Sequence, residues 1–239
     1  VYRASKTQQI LVFTRSVYFG DGSAFLMGPI DRKDSISFVP ENTTLPLSLS
    51  ELDVADLNVT SDPVRFRDGV LIGLSNGEVR HVKPRSIQDD AVFVPKSDVG
   101  VEFYWQRPCV LTPDTFAIAN HDGRMFIVKY VADGETPYMV QMVESKSARR
   151  IIGPLVKNGD LIYALGDGPN GNDLLAFNAV DLKMKASFPL GGVSTWGPET
   201  LGKWTYATQA DGTLVAFGTG PMPEFEIKLP DGRAVGRPL

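Results

Sequence analysis

The sequence predicts an all-β chain of tandem four-stranded antiparallel units, the building block of a β-propeller. Three observations predict it: a proline at a near-constant interval, a glycine turn at a matching offset inside each interval, and four β-prone runs per interval. Pro63, Pro108, Pro154 and Pro198 stand 45, 46 and 44 residues apart, and Pro238 follows 40 residues later. The segments they open are "PVRFRDGVLIGLSNGEVRHV", "PCVLTPDTFAIANHDGRMFIV", "PLVKNGDLIYALGDGPNGNDLLAF" and "PETLGKWTYATQADGTLVAF".

Each element follows in order. A short β-prone run comes after Pro, then a second apolar run ending near a small residue: Gly73, Ala119, Ala164 or Thr208. Asn76-Gly77, Asp122-Gly123 and Asp211-Gly212 come next. These pairs predict two-residue type I′ hairpins, which need positive φ at both central positions. A third run follows, and a fourth closes each unit: "AVFVP" at 91–95, "YMVQMV" at 138–143, "KASFPL" at 185–190 and "EFEIKL" at 224–229. A degenerate first unit is built from "ILVFT", "VYFGDGSAFLMG" with its Asp21-Gly22 turn, and "SISFVP" as its fourth strand. "LSLSELDVADL" at 47–57 reads as a turn or two of helix.

The prediction is therefore one domain over 1–239, of about five blades spanning approximately 8–57, 58–102, 103–148, 149–192 and 193–239. It either closes as a five-blade ring or belongs to a larger seven- or eight-bladed propeller. "GRPL" at the end reads as the opening of a further blade or as a strand that seals the ring. A β-sandwich is the competing architecture.

Bulk properties narrow the function classes. The net charge is −4 with no basic run, which argues against nucleic acid or an anionic membrane as partner. No apolar run approaches the roughly 20 residues of a membrane-spanning helix. The chain opens on Val1 without a legible signal peptide, the expectation for a mature or excised segment. Cys109 is the only cysteine, so an intrachain disulfide is excluded.

The units resemble the PQQ-like repeat of quinoprotein alcohol dehydrogenase-like propellers. "IGPLVKNGDLIYALG" (152–166), "LLAFNAVD" (174–181) and "WGPETLGKWTYATQADGTLVAF" (196–217) match the first two-thirds of that motif, and the resemblance runs over about 58–239. The departures are informative. The Trp that ends each blade in the cofactor-binding enzymes is replaced by ends such as "AVFVP" and "KASFPL", and one cysteine cannot form the adjacent-cysteine disulfide found beside the quinone. No Glu, Asn and Asp cluster matches the family's calcium and base positions. The resemblance thus implies the non-catalytic branch: an extracytoplasmic binding scaffold, similar in kind to outer-membrane assembly lipoproteins, with no cofactor and no metal. A PQQ-dependent oxidoreductase or a fragment of one is the alternative, and a carbohydrate-active propeller a third.

The residues before each repeat proline are the candidate binding groups: Trp105 and Arg107 in "YWQRP", Trp196 in "STWGP" and Arg237 in "VGRP". In a propeller this entry to the innermost strand opens on one end of the channel, where aromatics and arginine make good anchors. Packing of both tryptophans between blades is the competing reading. His81 and His121 read as turn and strand residues, Cys109 as a buried apolar filler, and Asp89, Asp90, Asp160, Asp167 and Asp173 mostly as turn formers. Asn42 and Asn58 fit the glycosylation pattern. Gly166, Gly168 and Gly171 fit G-x-G-x-x-G, but Pro169 lies inside the motif and a strand-like run follows it. The glycines therefore read as an enlarged hairpin turn, with no dinucleotide site.

Overall fold

The computed structural model describes residues 59–83, 89–96, 103–194 and 196–228, and six strands before residue 53 by their backbone. Among the described residues every regular element is a strand. β1 (Tyr2–Arg3) pairs with β2 (Ile10–Leu11). The five sheets that follow each have four strands in chain order. They are β3 (Arg15–Tyr18), β4 (Ala24–Met27), β5 (Ile36–Val39) and β6 (Ser50–Leu52); β7 (Val64–Phe66), β8 (Gly69–Gly73), β9 (Val79–Val82) and β10 (Asp89–Phe93); β11 (Cys109–Thr112), β12 (Thr115–Ala119), β13 (Arg124–Val131) and β14 (Tyr138–Lys146); β15 (Val156–Asn158), β16 (Leu161–Gly168), β17 (Gly171–Asn178) and β18 (Met184–Pro189); and β19 (Glu199–Leu201), β20 (Trp204–Thr208), β21 (Leu214–Phe217) and β22 (Pro223–Ile227). The chain is thus all-β and built of antiparallel four-stranded blades.

Three sequence expectations need correction. Ser50–Leu52 is a strand that pairs with β5, not part of a helix. This makes Ile36–Val39 the third strand of its sheet, while Ile10–Leu11 belongs to the separate two-stranded pair. The Asp21-Gly22 turn lies outside the described residues. The hairpins are not type I′ either: Gly77, Gly123 and Gly212 have φ of 93°, 91° and 85°, and the residue before each is absent from the positive-φ set. Each turn instead closes with the glycine N–H donating three residues back, to Leu74, Asn120 or Gln209, at 3.0 Å. These residues in turn donate to Glu78, Arg124 and Thr213 at 2.8 Å. This is the type I turn with a glycine bulge, which asks for positive φ at one position only. Asn76, Asp122 and Asp211 supply the rest: each side-chain Oδ1 accepts the N–H two residues on, at 3.1, 2.9 and 2.9 Å.

The third correction is one residue of register. The amides of Thr60, Gln106 and Ile152 donate to Gly73, Ala119 and Leu165, so Leu165 and not Ala164 occupies the repeat's shared position. At Gly73 smallness is obligatory, because an added Cβ would lie 2.6 Å from Trp105 Cδ1.

The chain divides into two compact units, Val1–Trp105 with Tyr130–Val140, and Gln106–Lys129 with Gln141–Leu239. In the first, β8 is buried throughout, and His81 lies fully buried between Phe66 and Tyr130 at ring distances of 5.8 and 5.3 Å. In the second, the sheet β15–β18 shows why its strands read as continuous apolar runs. Successive side chains of a strand point to opposite faces. Ile162, Ala164, Leu175 and Phe177 join Cys109, Ala117, Met125 and Ile127 on one side. Leu161, Tyr163, Leu165, Leu174 and Ala176 join Ala207, Val215 and Phe217 on the other. Both faces are therefore buried between neighbouring blades, and no polar alternation is needed. The outermost strands β18 and β22 have no buried residue.

The Gly123 turn gives a stability prediction. Its Cβ would lie 2.5 Å from Arg149 O, whereas Gly134, at φ 96°, faces open space. Gly123→Ala should cost about 2 kcal/mol more than Gly134→Ala, because both carry the φ penalty and only one carries the clash. Urea titration of the two variants checks this.

Candidate functional site

The first strands β11, β15 and β19 of the second unit lie side by side, as the inner strands of successive blades do. Polar side chains tie them together. Lys157 Nζ donates to Leu111 O at 2.9 Å, and Thr200 Oγ1 donates to Lys157 O at 3.2 Å. The Leu155 amide donates to Arg107 O at 3.2 Å, and Arg107 Nη1 lies 3.7 Å from Glu199 Oε2. Buried Asn158 carries the strongest link. Its side-chain amide donates to Lys203 O, Phe217 O and Gly218 O at 3.0, 3.3 and 2.9 Å. Further out, Tyr163 OH donates to Gly220 O at 2.6 Å; burial first, and then the Glu224 charge, pushes its pKa up to about 12.

The sequence candidates occupy different settings. Trp105 is 1% exposed, stacked on Phe103 with centroids 5.0 Å apart and packed over Gly73, and its backbone amide donates to Thr60 Oγ1. It is a core ring of the first unit, not a surface anchor. Arg107 keeps 35% side-chain exposure beside Glu199. Trp196 is half-buried, and its carbonyl accepts Ser194 Oγ at 2.9 Å and Thr208 Oγ1 at 3.0 Å. Arg237, Asn42 and Asn58 lie outside the described residues. Lys157, Asn158 and Thr200 carry no motif, because "KNGD" reads as a turn; a polar residue ending a buried three-residue strand is the signal that the segment holds.

The remaining chemical groups have structural partners. His81 Nε2 lies 3.0 Å from Phe66 O, and His121 Nδ1 lies 3.2 Å from Asn120 Oδ1. Asp173, 6% exposed, pairs with Arg149 at 3.1 Å and accepts Ser187 Oγ at 2.8 Å. Burial pushes the Asp122 carboxyl up, but bonds from the Arg124 amide and Lys146 outweigh it and leave the group below its ordinary value. Among the described residues no group of three or more His, Cys, Asp or Glu side chains is gathered to hold a metal ion. The glycine motif is a lengthened hairpin: Gly168 pairs with Gly171 across Pro169 and Asn170.

Cys109 is buried among Ala117, Leu155 and Ile162, and burial pushes its thiol up to about 12. The thiolate is the reactive form. Alkylation of the folded protein at neutral pH should run at least about tenfold slower than in denaturant. Equal rates would show the thiol to be accessible.

Exposed large apolar side chains complete the inventory. On β14 they recur at every second residue: Tyr138, Val140 and Met142 are 49%, 37% and 56% exposed, with Met139 buried between the first two. β14 is nine residues long and lies at the edge of its sheet.

No protein-family profile matches the chain, and no curated protein matches it. Among solved structures it is similar to the crystal structure of BamB from Moraxella catarrhalis, at 14% identity and a TM-score of 0.49 over 88% of this chain and 74% of that one. At that similarity the functional reading rests on this chain's own residues.

Proposed function

We propose that the protein is a β-propeller scaffold that binds a protein partner through the outer edges of its blades. The alternating exposed row Tyr138, Val140 and Met142 on β14 carries the reading. An edge strand offers unpaired backbone groups to an extended partner segment, and an apolar row beside them adds contact area. β14 is also the longest of the outer strands, nine residues against three to six in the others. β10, β18 and β22 each break register against their neighbour, and the residues skipped in the pairing are Asp90, Lys185 and Glu224. Bulges and charges at sheet edges discourage pairing.

Five four-stranded sheets build this scaffold. The PQQ-like pattern of the sequence supports an extracytoplasmic setting. Arg107 and Trp196 offer a second contact surface, at the inner-strand end of the second unit.

Photo-crosslinking residues placed singly at Met142, Arg107 and Trp196 test the proposal in the native host. Partner adducts at Met142 support docking at the outer edge. Adducts confined to Arg107 or Trp196 would move the contact to the inner end. Absence of adducts at all three positions sinks the scaffold reading.

A further inference from the structure

The chain contains three Asn-Gly pairs, at Asn76, Asn158 and Asn170. Glycine after asparagine leaves the backbone nitrogen unshielded by a Cβ, which opens a route to imide formation. The fold treats the three pairs differently. Asn158 is buried, and its amide nitrogen is held by three carbonyls. Asn76 is exposed, but its Oδ1 accepts the Glu78 amide at 3.1 Å, which holds the side chain in one orientation. Asn170 is exposed at the tip of the β16–β17 hairpin, and among the described residues no side-chain bond restrains it.

We infer that Asn170 is the site at which this protein undergoes spontaneous deamidation and isoaspartate formation. The Gly171 backbone nitrogen, on losing its proton, attacks the Asn170 side-chain carbonyl carbon. The bond to the side-chain amide nitrogen breaks, and that nitrogen takes up a proton and departs as ammonia. Water then opens the cyclic imide at one carbonyl or the other, yielding aspartate or isoaspartate. Either product adds a negative charge at the hairpin tip.

The isoaspartyl product also routes the backbone through the side-chain methylene, beside a close contact. A Cβ on Gly171 would lie 2.4 Å from the Gly192 backbone. The next residue, Asn172, clamps the linker that leads to β19. Its amide donates to Gly192 O at 2.7 Å, its carbonyl accepts the Leu190 amide at 2.9 Å, and its Oδ1 accepts the Ser194 amide at 2.8 Å. The modification therefore falls beside a packed, hydrogen-bonded segment that a longer backbone would have to displace.

The test is incubation of the intact folded protein at mildly alkaline pH, followed by peptide mass mapping and enzymatic isoaspartate assay, with a parallel sample in denaturant. In the folded sample Asn170 should gain about one mass unit at least about fivefold faster than Asn76, and Asn158 should stay unmodified. In denaturant the three rates should converge, because the protection is structural. Asn170→Gln should remove most of the isoaspartate signal from the folded protein. Modification of Asn76 or Asn158 at the Asn170 rate in the folded state would overturn the inference. So would an unmodified Asn170, or an isoaspartate yield unchanged in the Asn170→Gln variant.

Discussion

Trp105→Ala is expected to destabilise the protein by about 4 kcal/mol, a fall of about 10 °C in melting temperature for a chain of this size. The indole is 1% exposed, stacked on Phe103, and its Cδ1 would stand 2.6 Å from a Cβ on Gly73. Removing it opens a cavity between Gly73 and the Phe103 ring. Trp105→Phe, which keeps an aromatic ring in the gap, should lose less than half as much. Guanidinium titration followed by far-ultraviolet circular dichroism measures both. The variant pair also separates two roles that Trp105 invites on sequence grounds. A surface anchor for a partner would leave stability within about 0.5 kcal/mol of the parent on truncation.

Asn158→Ala should cost about 3 kcal/mol, and Asn158→Asp more. One side-chain amide satisfies Lys203 O, Phe217 O and Gly218 O. Alanine leaves these carbonyls without that donor, two of the bonds being buried. Aspartate is worse, because it sets a carboxylate against carbonyl oxygens in a site with little water. Hydrogen exchange should show the loss on both sides of the link, in 156–178 and in 204–218, because Asn158 joins two blades and not two strands of one. Loss confined to 156–178 would mean that the bonds to the next blade carry little weight.

The blade architecture was legible because its markers are local. Proline, a turn glycine and a turn Asn or Asp recur at fixed offsets, and the glycine and the Asn or Asp answer to backbone requirements that the structure shows being met. The turn type was not legible, since Asn-Gly and Asp-Gly serve both a type I′ turn and a type I turn with a glycine bulge. Strand length and twist decide between them. Ser50–Leu52 escaped because "LSLSELDVADL" has helix-like spacing, and its pairing with β5 is a long-range contact that overrides local propensity. The Leu165 position escaped because the repeat was read by its small residues, and Ala164 stands one place before Leu165 within the same spacing from Pro154.

The site was less legible than the fold. Trp105 stands three residues and Trp196 two residues before its repeat proline, yet one is enclosed in a core and the other half-buried. Nothing in "YWQRP" or "STWGP" records what packs on the ring. The linking roles of Lys157, Asn158 and Thr200 depend on carbonyls 43 to 60 residues away in sequence, which no short motif reports. The exposed row on β14 was visible only as a fourth β-prone run, because its exposure follows from its place at a sheet edge.

On the proposed function, this chain is a binding scaffold and not a quinone-dependent oxidoreductase. The most direct test mixes the purified protein with PQQ and calcium and records the quinone absorbance together with dye-linked alcohol oxidation. A scaffold of this kind should give neither a stoichiometric complex nor turnover. A saturable complex with one quinone per chain, accompanied by alcohol-dependent dye reduction, would contradict it.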